Sequence, residues 1–188
     1  MYHQKNLTFF LYFSGILFLL LICHCGDLPR QAKKEKGNAR VQWVNHLEYA
    51  DQVVKPFQGR ILLVNFWATW CVPCIAEMPI FEKIWRDIGE DQFEIVLVSI
   101  DLKEVSHRVE KMLKEKRIPF TCYLQTDSDP EVFINAVDTS WGGSIPYTLI
   151  YDCNGEIVYR KLGQQKEDDL KEVIRKILEI NSPVSKDG

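Results

Sequence analysis

Phe66-Trp67-Ala68-Thr69-Trp70-Cys71-Val72-Pro73-Cys74 is the stretch that decides the fold. Its first residues complete an apolar run, residues 61–67 (ILLVNFW), rich in branched and aromatic side chains. Such a run suits a strand buried on both faces. From about Cys71 to Ile88 the period changes to that of a helix, with Ile75, Met78, Phe81, Ile84 and Trp85 on one side. Two cysteines three positions apart therefore stand at a strand-to-helix join. A helix N-terminus presents unpaired N–H groups and the positive end of the helix dipole, which favour a thiolate. Cys71 is thus expected to have the lowered pKa and to attack a disulfide. Cys74, one turn further in, would displace the resulting mixed disulfide. Pro73 between them stiffens the first turn. Two other readings of the pair stay open here. Zinc would need two more ligands, but Cys122 and Cys153 are 31 residues apart and His46 and His107 stand alone. An inert structural disulfide is the other.

Outward from the pair, strand and helix patterns alternate, which argues for an α/β domain. Residues 93–100 (FEIVLVSI) read as a second central strand, and residues 103–116 as an amphipathic helix through Val105, Val109, Met112 and Leu113. A further strand is expected over Phe120–Gln125. Residues 145–151 and 156–162 flank Asn154-Gly155, a strong hairpin signal. A last helix, about 166–180, carries Glu167, Asp168 and Asp169 in its first turn and a core stripe of Leu170, Val173, Ile174, Ile177 and Leu178. Cys122, in its strand, reads as a small buried hydrophobe. Cys153, at the hairpin turn, reads as exposable, and a second disulfide between the two is an open alternative in an oxidising compartment.

The 188 residues suit one domain with flanking segments, and 46% hydrophobic content is enough for a core. A net charge of -3 gives no electrostatic argument for nucleic acid. Leu7 to Ile22 (LTFFLYFSGILFLLLI) is almost wholly apolar, long for a signal-peptide core and short for a ~30 Å hydrocarbon layer. Export or anchoring is expected. Three means stay open: a lipid on Cys25 (or Cys23), an uncleaved anchor, and simple cleavage. Arg30, Lys33, Lys34, Lys36 and Arg40 follow the apolar run whereas only Lys5 precedes it, which runs against an uncleaved anchor under the positive-inside tendency. Gly26 to Arg40 reads as a polar tether, and structure is expected to begin near Val41.

The block around Cys71 and Cys74 resembles the active-site segment of thioredoxin-like thiol-disulfide oxidoreductases of the membrane-tethered TlpA and ResA type, over roughly residues 41–180. Pro79 falls where that family has a proline in its active-site helix. Pro146, in Gly143-Ser144-Ile145-Pro146-Tyr147, falls where it has a cis-proline facing the cysteines. The resemblance implies that a cis bond there would free the backbone of Ile145 to pair with an extended client peptide; the alternative is an ordinary trans proline opening a strand. It implies a thioredoxin fold, a central mixed sheet flanked by helices, with a helix–strand insertion over residues 103–125. The expected organisation is 1–25 signal peptide or membrane anchor, 26–40 tether, 41–182 thioredoxin-like domain and 183–188 tail. Thioredoxin has a buried aspartate six residues before its first cysteine. Here that position is Asn65, which cannot titrate. Glu77 matches a glutamate of the TlpA and ResA type and is the candidate acid or base for Cys74; the bland alternative is a solvated surface glutamate. Trp70, Val72, Pro73, Ile145 and Pro146 are the candidate client-binding residues, and Trp67 is expected in the core.

The resemblance further implies no cofactor beyond the redox-active Cys71–Cys74 disulfide, and no metal. It implies client proteins with oxidised cysteines, in cytochrome c maturation or metal-site assembly. It also implies a membrane thiol–disulfide donor that re-reduces the pair, and an extracytoplasmic, membrane-anchored location. Two other functions are weighed beside it. A peroxiredoxin-like peroxide reductase would place a threonine three residues before the reactive cysteine, where this chain has Ala68. A tethered module would hold peptides beside Pro146 without redox turnover.

Overall fold

The computed structural model describes residues 41–89 and 91–181. The expectations for the anchor with Cys23 and Cys25, the tether, residue 182 and the tail lie outside the described residues. The chain runs β1 (Val41–Val44), two helical turns (Ala50–Val54 and Lys55–Phe57), β2 (Ile61–Trp67), α1 (Val72–Ile88) and β3 (Phe93–Ser99). It continues through a short turn (Lys103–Val105), α2 (Ser106–Glu115), β4 (Thr121–Gln125) and α3 (Pro130–Val137), and closes with β5 (Tyr147–Tyr151), β6 (Ile157–Leu162) and α4 (Glu167–Asn181). These form one six-stranded sheet in the order β1-β4-β3-β2-β5-β6. The first four strands of that order are mutually parallel, and β5 and β6 are antiparallel. The expected insertion is α2 with β4, and β4 enters the sheet between β1 and β3.

The period of two along β2 explains both layers. Ile61, Leu63 and Trp67 point into a core shared with Met78, Phe81 and Ile84 of α1, Val109 and Leu113 of α2, and Leu170 and Ile174 of α4. Leu62, Val64 and Phe66 point the other way, onto Tyr49, Val53, Phe133, Val137 and Trp141. Helical segments therefore cover both faces, which is why β2 and β3 are apolar at nearly every position. Each large side chain fully buried here contributes roughly 1.5–3 kcal/mol from the area it removes from water.

Several boundaries move. Cys71 is the cap of α1 and not its first turn, and β3 ends at Ser99. Residues 103–105 form a separate turn before α2. The Asn154-Gly155 signal does mark a hairpin, but as a longer turn in which the Asp152 carboxylate accepts from the N–H groups of Asn154 and Glu156, each at 2.9 Å. Gly155 holds φ +85° there, and glycine adopts that conformation freely. The expectation of an exposed Cys153 is wrong. Its side chain is buried under the end of α4, Sγ lying 3.4 Å from Asn181 Oδ1. The alternative of a disulfide between Cys122 and Cys153 is not realised: no bond joins the two sulfurs. Strands β3 and β2 stand between β4 and β5. Three strand spacings of about 4.8 Å exceed the ~7 Å limit for bridged Cα atoms. Burial pushes the Cys122 thiol up to about 12, so it stays protonated and inert.

Candidate active site

Cys71 leaves β2 through Ala68–Trp70 and caps α1 with extended backbone (φ -87°, ψ 94°). Its Sγ accepts from the Cys74 N–H at 3.3 Å. The two sulfurs are bonded at 1.99 Å, with Cα atoms 5.3 Å apart. Cys71 retains a sliver of exposure and Cys74 none. That inequality follows from the helix: position 71 faces outward at the tip, whereas position 74 is turned in beneath it. An incoming sulfur can reach only Cys71.

The loop before the pair is clamped from β3. Asp101, almost fully buried, accepts from the Thr69 N–H (2.8 Å), the Thr69 hydroxyl (2.7 Å) and the Ser99 hydroxyl (2.7 Å). No sequence signal singled out Asp101, because the loop residue it holds, Thr69, is 32 residues away along the chain. Asp101→Asn removes one acceptor and presents a donor to other donors. It is expected to cost about 1–3 kcal/mol, read as a lower urea midpoint with an unchanged m-value.

A second loop arrives at the same end of the sheet. Phe66 of β2 is paired with Tyr147 of antiparallel β5, so the residues before Tyr147 emerge beside those after Trp67. The Ile145–Pro146 bond in that loop is cis. Asp138 anchors the loop, accepting from Tyr147 Oη (2.8 Å), Arg160 Nε (2.7 Å) and the N–H and hydroxyl of Ser140. Burial alone would raise the Asp138 carboxyl, but those hydrogen bonds outweigh it and hold it below its usual range. Trp141 stacks on Tyr147 with centroids 5.1 Å apart and planes 6° from parallel, and its indole N–H donates to Ser144 O at 2.8 Å. Gly143 has φ +80°, and a Cβ there would meet Ile134 Cδ1 at 2.8 Å. Pro146 is buried and Ile145 half-buried.

Glu77 lies one turn beyond Cys74 and has no solvent exposure at all. The solvated-glutamate alternative therefore fails. Asn65 shares the β2 face of Leu63 and Trp67, toward α1, and its Nδ2 donates to Glu77 Oε1 at 2.8 Å. The same amide donates to Thr148 Oγ1 at 3.1 Å, Thr148 being the residue in register on β5. The Gln165 N–H donates to Glu77 Oε2 at 2.9 Å. Burial raises the carboxyl from its ordinary range to about 7, although these two donors pull it down. Asn65 cannot titrate, and the buried titratable group it bonds is the carboxyl of Glu77 on the neighbouring helix. Gln165, on Glu77, and Thr148, on Asn65, complete the cradle; only the folded chain brings them together.

Comparison with known proteins adds the family. The AhpC/TSA family model matches residues 42–160. The chain belongs to the AhpC/TSA family. The thiol-disulfide oxidoreductase ResA of Bacillus thuringiensis subsp. konkukian is 26% identical over 170 residues, covering 86% of this chain and 94% of that protein. The thiol:disulfide interchange protein HelX of Rhodobacter capsulatus is 32% identical over 121 residues, 64% of this chain and 62% of its own. Among solved structures, the thioredoxin domain of a thiol-disulfide oxidoreductase from Bacteroides vulgatus superposes with a TM-score of 0.55 at 26% identity, covering 65% and 82% of the two chains. Fold, disulfide and relatives make this AhpC/TSA member a thioredoxin-like thiol-disulfide oxidoreductase.

Around the buried pair, this AhpC/TSA domain presents an apolar rim. Trp70 is 66% exposed and Val72 75%, and Pro73 is exposed between the cysteines. Trp67 is fully buried, as expected for a core residue.

Proposed function

We propose that the enzyme is an extracytoplasmic, membrane-tethered reductant of protein disulfides. The observation that carries this reading is the Cys71–Cys74 disulfide at the start of α1 with buried Glu77 behind it. In the forward reaction the Cys71 thiolate attacks a client sulfur and breaks the client's S–S bond. The departing client thiolate takes up a proton. Glu77 removes the proton from Cys74, whose thiolate attacks Cys71 Sγ and expels the second client thiol. Two electrons pass to the client and the enzyme is left oxidised. Trp70, Val72 and Pro73 offer the client an apolar seat, and Ile145 offers backbone for strand addition ahead of Pro146.

The resemblance to TlpA and ResA supports clients in cytochrome c maturation or metal-site assembly, and a membrane dithiol donor that re-reduces the pair. The apolar run Leu7–Ile22 supports export and tethering. The test of direction is the reduction potential of the Cys71–Cys74 couple in glutathione or dithiothreitol buffers. A reductant is expected below about -250 mV, and a value near about -120 mV would make it an oxidase. Family membership favours one second reading, peroxide reduction. Ala68 at the threonine position and Cys74 already paired to Cys71 weigh against it. Peroxide consumption by the reduced protein is accordingly expected to stay at the uncatalysed rate.

A further inference from the structure

A groove of about 520 Å³ runs from the redox loop along the inserted helix α2, lined by Trp70, Leu102, Val105, Arg108, Lys111 and Met112 among others. We propose that it seats the client chain next to the target cysteine, and that it selects an extended segment carrying an apolar side chain and a carboxylate. This rests on the disulfide-exchange reading and names the substrate class for the same site.

One end of the groove is Thr69-Trp70, the residues just before Cys71, so a chain lying in it is within a few residues of a sulfur bonded to Cys71. An extended peptide advances about 3.3 Å per residue, so a side chain two to four residues from the target cysteine reaches about 7–13 Å along the groove. The wall chemistry then sets what fits. Leu102 is 68% exposed, and with Trp70, Val105 and Met112 it makes an apolar surface. Of the charged groups lining the groove, Asp101 is buried and committed to Thr69 and Ser99. Lys111 and Glu115 face each other at 3.8 Å. Arg108 is exposed and makes no ion pair among the described residues. The groove thus offers one uncommitted cation beside an apolar wall, in a chain whose net charge is -3. A guanidinium is suited to bidentate pairing with a carboxylate. Because α2 belongs to the insertion, the selecting element is separate from the loops that carry the exchange chemistry.

The test uses the reduced enzyme and two cyclic peptides, each closed by a Cys–Cys disulfide and carrying Phe and either Glu or Lys within four residues of a cysteine. The quantity read is the ratio of kcat/KM for the Glu peptide to that for the Lys peptide. Taking a ratio on one protein cancels any general loss of activity. The wild type is expected to prefer the Glu peptide several-fold at low salt, and Arg108→Glu is expected to lower the ratio about tenfold, reversing the preference. A ratio unchanged by Arg108→Glu overturns the proposal. Reduction of hydroxyethyl disulfide by the wild type, run in parallel, keeps the two readings apart: without it the exchange reading itself fails, and this proposal with it.

Discussion

Cys71→Ser is expected to cut insulin reduction to below about one-thousandth of the wild-type rate. The reason is chemical before it is structural. A serine hydroxyl is not ionised near neutrality and cannot form a disulfide, so the first step has no nucleophile. Cys74 cannot substitute, because it is fully buried beneath Cys71. The fold should survive, since position 71 is an N-cap and serine is a good one. Unchanged far-UV circular dichroism alongside lost turnover is therefore the expected pair of results. A variant that keeps a tenth of wild-type activity would mean that another group attacks the client.

The second large effect concerns Glu77 and pH. Burial raises its carboxyl from 4.5 to about 7 in the folded protein. Between those values the folded state binds a proton that the unfolded state has released, so stability falls as pH rises. From pH 5 to pH 8 this one group should cost on the order of 2–3 kcal/mol of unfolding free energy. Urea titration of the oxidised protein at the two pH values measures it. In Glu77→Gln the difference attributable to this group should vanish, leaving a flatter profile. The amide keeps one acceptor oxygen for two donors, the Asn65 side chain and the Gln165 N–H, so the variant is also expected to be less stable at pH 5. The same substitution should slow release of the client thiol, because Cys74 loses its base. Identical pH profiles in wild type and Glu77→Gln would show that the carboxyl titrates in the fold as it does in the unfolded chain, too acidic to draw the proton from Cys74 effectively.

Much of this was legible because the relevant signals are local. The ILLVNFW run, the period of α1 and the C-x-x-C at their join are each readable within about 25 residues, and the elements appear with edges moved by a residue or two. Helix α3 escaped, although Asp129-Pro130 is a sound cap followed by a first-turn proline, and Asp129 does accept from the Glu131 N–H. Eight residues provide too little apolar periodicity to stand out. The four-residue strand β1 escaped for the same reason; its pairing with β4 is a long-range fact. Glu77 was visible as a helix residue in phase with Cys74. Its burial was not, because that depends on Asn65, Thr148 and Gln165 arriving from β2, β5 and the segment before α4. Asp101 and Asp138 were invisible as loop supports on the same ground. Cys153 misled because a turn position usually means exposure, whereas here the end of α4 covers it.

In the proposed exchange Cys71 attacks and Cys74 resolves. Cys74→Ser separates the two steps, since a client captured on Cys71 then has no internal thiol to release it. The reduced variant is mixed with a cyclic peptide disulfide, quenched with acid and mapped by mass spectrometry. The predicted result is a peptide adduct on Cys71 that accumulates with time and is absent from Cys71→Ser treated identically. An adduct that forms as fast on Cys74 in Cys71→Ser, or no adduct in either variant, would contradict it.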